Sequence, residues 1–180
     1  MDAPTAFRRQ LLDIIPRLRR YARALTFDAA AADDLSQHTL ERALVHWQQF
    51  DPRRELGAWV LSIAHNAHLD SVRRESRMTV TDPADLQVVQ DENQRDTSHT
   101  LGLRLDLEAG LARLPREQRE PLLLVCVEQL SYAEVAQVLA IPIGTVMSRV
   151  CRGRAALRLY LDGHGKPGRH DVPAPLRRVV

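Results

Sequence analysis

The chain has 180 residues, room for one domain or two small ones. Its formal net charge is only +2 and aromatics make up 4% of it, which excludes a general polycation and confines any nucleic-acid contact to a local face. No apolar run reaches the length of a bilayer span, and MDAPTAFRRQ lacks a signal peptide's charge-then-apolar order, so no direct membrane insertion is expected. Of the 25 basic Lys+Arg residues one is a lysine, Lys166, a bias read mainly as genomic base composition. Ala, Leu and Val dominate, as an all-α protein requires.

The pattern predicts a first helix from about Ala6 to Leu25, broken or bent near Pro16, since proline removes an interior hydrogen bond. A second is expected from about Ala29 to Trp47, after Thr26-Phe27-Asp28. Leu35, Leu40, Ala43, Leu44 and Trp47 make its core face, and Asp34, Gln37, His38, Glu41 and Arg42 lie opposite. A loop from Gln49 to Gly57 follows, then a third helix from Ala58 to about Arg77. His65 and His68, with Asp70 nearby, can place two imidazoles on one face of it. No HExxH pattern or cysteine pair accompanies them, so a polar face is preferred to a metal site.

Residues 79–102 change character. Five acids and one arginine lie between Asp82 and Asp96, the composition of a flexible acidic linker. Beyond it, Leu103 to Leu114 is amphipathic, and Pro115 starts a further helix through Arg119 to Gln129. The tail, 163–180, is rich in Gly and Pro and reads as disordered.

Between them lies Ser131 to Leu161, the most informative stretch. Ser131 and Glu134 have the spacing of a capping box. Val135, Val138 and Leu139 recur at helical spacing. Ala140-Ile141-Pro142 then forces a tight break, because proline drives its predecessor out of the helical region and favours the start of the next helix. A helix-turn-helix follows. Its second helix carries four arginines and no acid up to Leu161. Ile143, Val146, Val150, Leu157 and Leu161 share a packing side. Thr145, Ser148, Arg149 and Arg152 share another, free to enter a groove, where arginine bridges guanine acceptors or clamps phosphate. Arg154 and Arg158 lie further round and suit the backbone. A solvated basic face is the plain alternative, and the cap, the turn and the missing acids weigh against it. Cys126 and Cys151 fall inside helices and are read as buried thiols, not as a disulfide or metal pair.

At these residues the chain resembles the extracytoplasmic-function (ECF) subfamily of bacterial RNA polymerase sigma factors. The segment Ala32-Asp33-Asp34-Leu35-Ser36-Gln37-His38-Thr39-Leu40-Glu41-Arg42-Ala43 is similar to that family's core-polymerase-binding helix. Trp59-Val60-Leu61-Ser62-Ile63-Ala64-His65-Asn66, with Asp70-Ser71-Val72-Arg73-Arg74, is similar to its promoter-reading helix. Leu114-Pro115, Leu130-Ser131-Tyr132, Glu134-Val135-Ala136, Gly144-Thr145-Val146 and Ser148-Arg149 are similar to its C-terminal domain. The resemblance covers about Leu11 to Leu161.

The resemblance implies an all-α fold of two small helical domains: sigma region 2 over 1–78, and region 4 over 103–162 as a four-helix module with a helix-turn-helix. It implies core RNA polymerase and promoter DNA as partners, an anti-sigma factor as inhibitor, and a stress or envelope response. It places the protein in the cytoplasm, with an anti-sigma factor able to hold it at the inner membrane. Asp33, Asp34, Gln37, His38, Glu41 and Arg42 would contact polymerase. Phe50, Arg53, Arg54, Asn66, Arg73 and Arg74 would handle the downstream element, whose flipped base needs a pocket, backbone cations and apolar walls such as Phe50 and Trp59. Trp59 is read as core first. Thr145, Met147, Ser148, Arg149, Arg152 and Arg154 would read the upstream element. Three positions depart from the family's habit: His38 stands where an acid is usual, Met147 where a base is common, and Ala140 where many relatives have glycine. No cofactor, metal, small-molecule substrate or catalysis by the chain itself is expected. Two other readings are a one-component helix-turn-helix regulator and a sigma-mimicking adaptor that sequesters an anti-sigma factor. The retained Arg149, Arg152 and Arg154 argue against the adaptor.

Overall fold

The computed structural model describes residues 3–78 and 98–164. Among them the regular structure is all helical. The first unit holds α1 (Thr5–Thr26), α2 (Ala29–Val45), one 3-10 turn (Trp47–Gln49) and α3 (Leu56–Met78). The second holds α4 (Ser98–Arg113), α5 (Arg116–Cys126), α6 (Tyr132–Leu139) and α7 (Ile143–His164). The acidic stretch 79–97 and the tail from 165 onward lie outside the described residues. The helix α4 begins inside the stretch read as linker, so 98–102 are helical.

Pro16 sits inside an unbroken α1. The carbonyl it deprives of a partner is that of Leu12, whose side chain is 64% exposed. That face of the helix meets solvent, where water can satisfy the carbonyl. The end of α1 is set by Phe27, which takes a left-handed conformation (φ 54°) and donates its N–H to the Arg23 carbonyl at 2.9 Å. Asp28 then caps α2, its carboxylate accepting from the Ala31 N–H at 2.7 Å.

In the first unit Leu18, Tyr21, Ala22 and Leu25 pack on Ala32 and Ala43 and on Val60, Leu61 and Ala64. Two buried hydroxyls join that core without a distant partner: Ser36 and Thr39 each donate to the carbonyl four residues back, at 2.7 Å. In the second unit α7 is the spine, packed on α4, α5 and α6. Leu122, Leu123 and Leu124 meet Val135, Val138, Val146 and Val150 there. Gly153 lets α7 approach α5, since a Cβ would stand 3.2 Å from the Gln118 carbonyl oxygen. The two units also touch: α3 packs on α6, and α1 on α5.

Candidate nucleic-acid and polymerase interfaces

The helix-turn-helix is built by local chemistry. Ser131 Oγ accepts from the Glu134 N–H at 3.2 Å, and Glu134 Oε2 accepts from the Ser131 N–H at 2.8 Å, closing the capping box. The Ser131 hydroxyl, which also donates to Glu134 Oε2 at 2.6 Å, and then the Ser131 N–H hold the Glu134 carboxyl below the usual carboxylate range. Ala140 ends α6 at φ 53°, ψ 43°, the left-handed cap that glycine fills most readily. The next helix starts at Ile143, with the Pro142 carbonyl accepting from Thr145 and Val146. Val146 and Val150 anchor α7, essentially without exposure.

That anchoring turns Met147, Ser148, Arg152 and Arg154 to solvent, with Thr145 and Arg149 half-buried beside them. Ser148 Oγ donates to the Thr145 carbonyl at 3.0 Å and Arg152 Nε to the Ser148 carbonyl at 3.3 Å. Both side chains lie along the helix. Arg149 Nη2 stands 3.6 Å from Glu117 Oε2, and Arg154 Nη2 donates to Cys126 Sγ at 3.3 Å. Ile143, read as packing, is 45% exposed, because the first turn of α7 projects beyond α6. The cysteines also differ from expectation. Both thiols are exposed and free: Cys126 ends α5 facing Arg154, and Cys151 shares the outer side of α7 with Arg152. Helical spacing alone did not separate these positions from core ones.

On α2 all six polar residues singled out for polymerase are exposed: Asp33, Asp34, Gln37, His38, Glu41 and Arg42. Gln37 Nε2 donates to Glu41 Oε1 at 3.1 Å. Leu44, read as core, is 39% exposed; the helix ends one residue later, and Ala43 with Thr39 takes the buried side. Leu44 and Val45 therefore extend the polar strip with an apolar end.

The loop before α3 begins on an aromatic cluster. Phe50 and Trp59, both half-buried, lie 5.5 Å apart between ring centroids, and both face Phe7, at 6.0 and 6.2 Å. Trp59 is thus both packed and partly open. Asp51 shapes the turn, its carboxylate accepting from the Arg53 N–H at 3.0 Å and its carbonyl from the Arg54 N–H at 3.0 Å. Arg53 and Arg54 point to solvent, as do Asn66, Arg73 and Arg74 on α3. Arg74 Nε donates to the Asp70 carbonyl at 3.2 Å, and Arg73 Nη1 stands 3.9 Å from Asp70 Oδ1. His65 and His68, in contrast, are buried. Among the described residues no group of three or more His, Cys, Asp or Glu is arranged to hold a metal.

Comparison with known proteins decides what this arrangement is. Residues 13–78 match the model "Sigma-70 region 2" and residues 104–157 match "Sigma-70, region 4". An ECF RNA polymerase sigma factor, EcfG of Rhodopseudomonas palustris, is 34% identical over 177 residues, covering 96% of this chain and 95% of that one. The chain belongs to the ECF sigma factors. SigW of Bacillus subtilis is 31% identical over 140 residues, covering 72% of this chain and 75% of SigW. Among solved structures, the sigma factor RpoE of Bartonella quintana, in complex with the anti-sigma factor NepR, superimposes with a TM-score of 0.80 at 29% identity, covering 88% of this chain and 98% of that one. This sigma factor accordingly binds core RNA polymerase and directs promoter-specific initiation of transcription. The sequence reading missed its most elaborate polar feature, the pairing of Arg17 with Glu128 across the two units, which no local pattern announces.

Proposed function

We propose that the three exposed faces divide the work of this sigma factor. The α2 strip, Asp33, Asp34, Gln37, His38, Glu41 and Arg42, docks on core polymerase. The loop and α3 residues Phe50, Arg53, Arg54, Asn66, Arg73 and Arg74 take the downstream element, with the Phe50–Trp59 pair as the wall against which an unstacked base rests. The α7 face, Thr145, Met147, Ser148, Arg149, Arg152 and Arg154, reads the upstream element in the major groove. On this reading 1–78 is the polymerase and downstream-element domain, and the unit from α4 to α7 is the upstream-element domain. The observation that carries the proposal is the burial of Val146 and Val150, which fixes α7 with its basic side outward.

An anti-sigma factor keeps the protein from polymerase until a stress or envelope signal arrives. The likeness to a sigma factor solved with NepR supports that part. The protein works in the cytoplasm, and a membrane-anchored inhibitor would hold it at the inner membrane. No single described helix is long and apolar enough to cross a membrane. The chemistry of RNA synthesis belongs to polymerase, and the chain supplies selection.

The test is reconstituted transcription from a genomic promoter library with purified core polymerase, with and without this protein. Discrete transcripts that need both components are expected, and charge reversal at Arg149 or Asp34 should remove them. Duplex binding without core association would favour the one-component regulator. Tight inhibitor binding with neither DNA nor core binding would favour the adaptor.

A further inference from the structure

Four aromatic rings gather at one corner of the first unit, and Phe7 of α1 stands at their centre. Its ring centroid lies 6.5 Å from that of Trp47, 6.0 Å from Phe50 and 6.2 Å from Trp59. The planes are inclined by 51°, 53° and 71°, the tilted and edge-on arrangements that ring quadrupoles favour. Phe7 is 8% exposed, whereas the three rings around it are half-buried. Phe7 therefore has almost no surface of its own to offer DNA. It lies behind the rings that do.

The rings come from separate pieces of chain. Phe7 is on α1, Trp47 opens the 3-10 turn, Phe50 follows that turn and Trp59 is on α3. Phe50 belongs to no helix. Its backbone is extended (φ −73°, ψ 122°), and its N–H donates to the Trp47 carbonyl at 3.1 Å. Residues 51–55 after it are exposed. The Phe50 ring is thus placed by the rings beside it, Phe7 and Trp59. Phe7, in contrast, is placed by a helix. Leu11, Leu18, Tyr21, Ala22 and Leu25 are buried along the same side of α1 and fix its position independently of the loop. A second grip lies further along α1, where Arg17 pairs with Glu55 at the far end of the loop. The helix holds the loop at both ends, by a ring at Phe50 and by a charge at Glu55.

Support of this kind decides selectivity more than affinity. Stacking on an aromatic wall accepts every base, because every base has a π-face. Preference for one base comes from polar groups at a fixed distance from the wall, and a wall displaced by about 1 Å loses it.

We propose that Phe7 is a positioning residue for capture of the unstacked downstream base: from α1 it fixes the spacing and tilt of the Phe50 and Trp59 rings, and with them the base preference of this sigma factor at that position. The proposal rests on the assignment of the Phe50–Trp59 wall to the downstream element.

The test compares wild type, Phe7→Leu and Phe7→Tyr in holoenzyme reconstituted with core polymerase. Promoter fragments recovered from the genomic library carry each of the four bases in turn at each downstream position, and open-complex formation is followed by 2-aminopurine fluorescence. Phe7→Leu keeps an apolar side chain and removes the ring. It should lower the ratio between the best and the poorest base at one downstream position by about fivefold or more, the low end of what one base contact discriminates. Discrimination at the upstream element, read by α7 in the other unit, should stay as in wild type. Phe7→Tyr keeps the ring and should keep the preference. Both tryptophans of the chain, Trp47 and Trp59, lie in the cluster, so the emission of the free Phe7→Leu protein should move to longer wavelength as the rings loosen. Leu25→Val destabilises the same unit from the far end of α1 and touches none of the four rings. It should leave the preference alone. Equal relaxation in Leu25→Val and Phe7→Leu would reduce Phe7 to a core residue and overturn the proposal. So would an unaltered preference in Phe7→Leu while Phe50→Ala relaxes it, which leaves the wall standing. Unaltered preference in Phe50→Ala as well would remove the wall itself, and the positioning role with it.

Discussion

Glu134 and Glu128 sit on either side of the start of α6 and live in opposite worlds. Glu134 is bonded inside its own turn, to Ser131, and its carboxyl is held below the usual range by those bonds. Glu128 is bonded to α1, 111 residues away, and burial pushes its carboxyl up against the pull of Arg20 and Arg17. The first arrangement shapes a reading head whatever else the molecule does. The second exists only while two halves are together. Local bonds define the reading parts of this protein, and distant ones join its two halves along a polar seam.

The largest break in that comparison should come from Arg17→Ala. It removes both bonds to the Glu128 side chain and carbonyl and leaves a buried carboxylate with Arg20 alone, so the folded protein should lose about 3 kcal/mol, the low end for an orphaned buried charge. Arg17 is itself partly solvated, which holds the figure down. Ser131→Ala, which dismantles the capping box, should lose about 1 kcal/mol. Urea unfolding of the two variants side by side tests the ranking, and equal losses would contradict the weight given to the Arg17–Glu128 bonds.

Acid should sharpen the comparison. His68 is lowered to about 4 by burial and by Arg116, with Glu120 pulling the other way. Burial lowers His65 too. A histidine depressed in the folded state contributes stability that is whole above its unfolded pKa of about 6.5 and lost as pH falls toward the folded value. Between pH 7 and about 5, His68 alone should account for a loss of about 2 kcal/mol. Glu128, raised by its burial, has the opposite sign and acts nearer its own range. The readout is therefore the difference between wild type and His68→Gln: the variant should show a flatter fall over that interval. Glu134 of the capping box, depressed, has the same sign but loses its contribution only below that interval.

The reading head has its own smaller test. Arg149→Ala should cost about 2 kcal/mol of discrimination between a cognate and a scrambled upstream element, the worth of one bidentate base contact. Its partner Glu117 competes for the same guanidinium at 3.6 Å, so Glu117→Ala should move affinity in the opposite direction from Arg149→Ala. Competition binding to both duplexes checks both. Unchanged discrimination in Arg149→Ala would remove that residue from the reading set.

What could be read from sequence follows the same division between local and distant. Ser131 with Glu134, the Pro142 break and the basic run of α7 are consequences of neighbours in the chain, and they stand in the structure as read. The exposed strip of α2 follows from spacing alone. Leu44, Ile143, Cys126 and Cys151 were assigned to the interior because spacing gives a face but not where a helix stops or what covers its end. Pro16 reads as a break or a bend because sequence does not reveal that the orphaned carbonyl meets water. The seam was invisible, since Arg17 and Glu128 look like surface charges until the chain brings them together.

One local feature was legible and still unsettled: Ala140, which stands where glycine is the usual solution. The structure puts it at φ 53°. An L-residue there places its Cβ against the following carbonyl, at a cost of about 1–2 kcal/mol that glycine avoids. Glycine gives part of that back through the larger entropy of the unfolded chain. Ala140→Gly should therefore stabilise the protein by about 0.5–1 kcal/mol, the smallest change in stability predicted here and the only one that favours the fold. Ala140 has its Cα in the turn, away from the Arg17–Glu128 bonds, so Ala140→Gly should raise thermal stability by the same amount in the wild-type and Arg17→Ala backgrounds. Unequal gains would mean that the turn and the Arg17–Glu128 contact are coupled through Leu139 and Ile141, and the separation between local and distant bonds would then have to be given up.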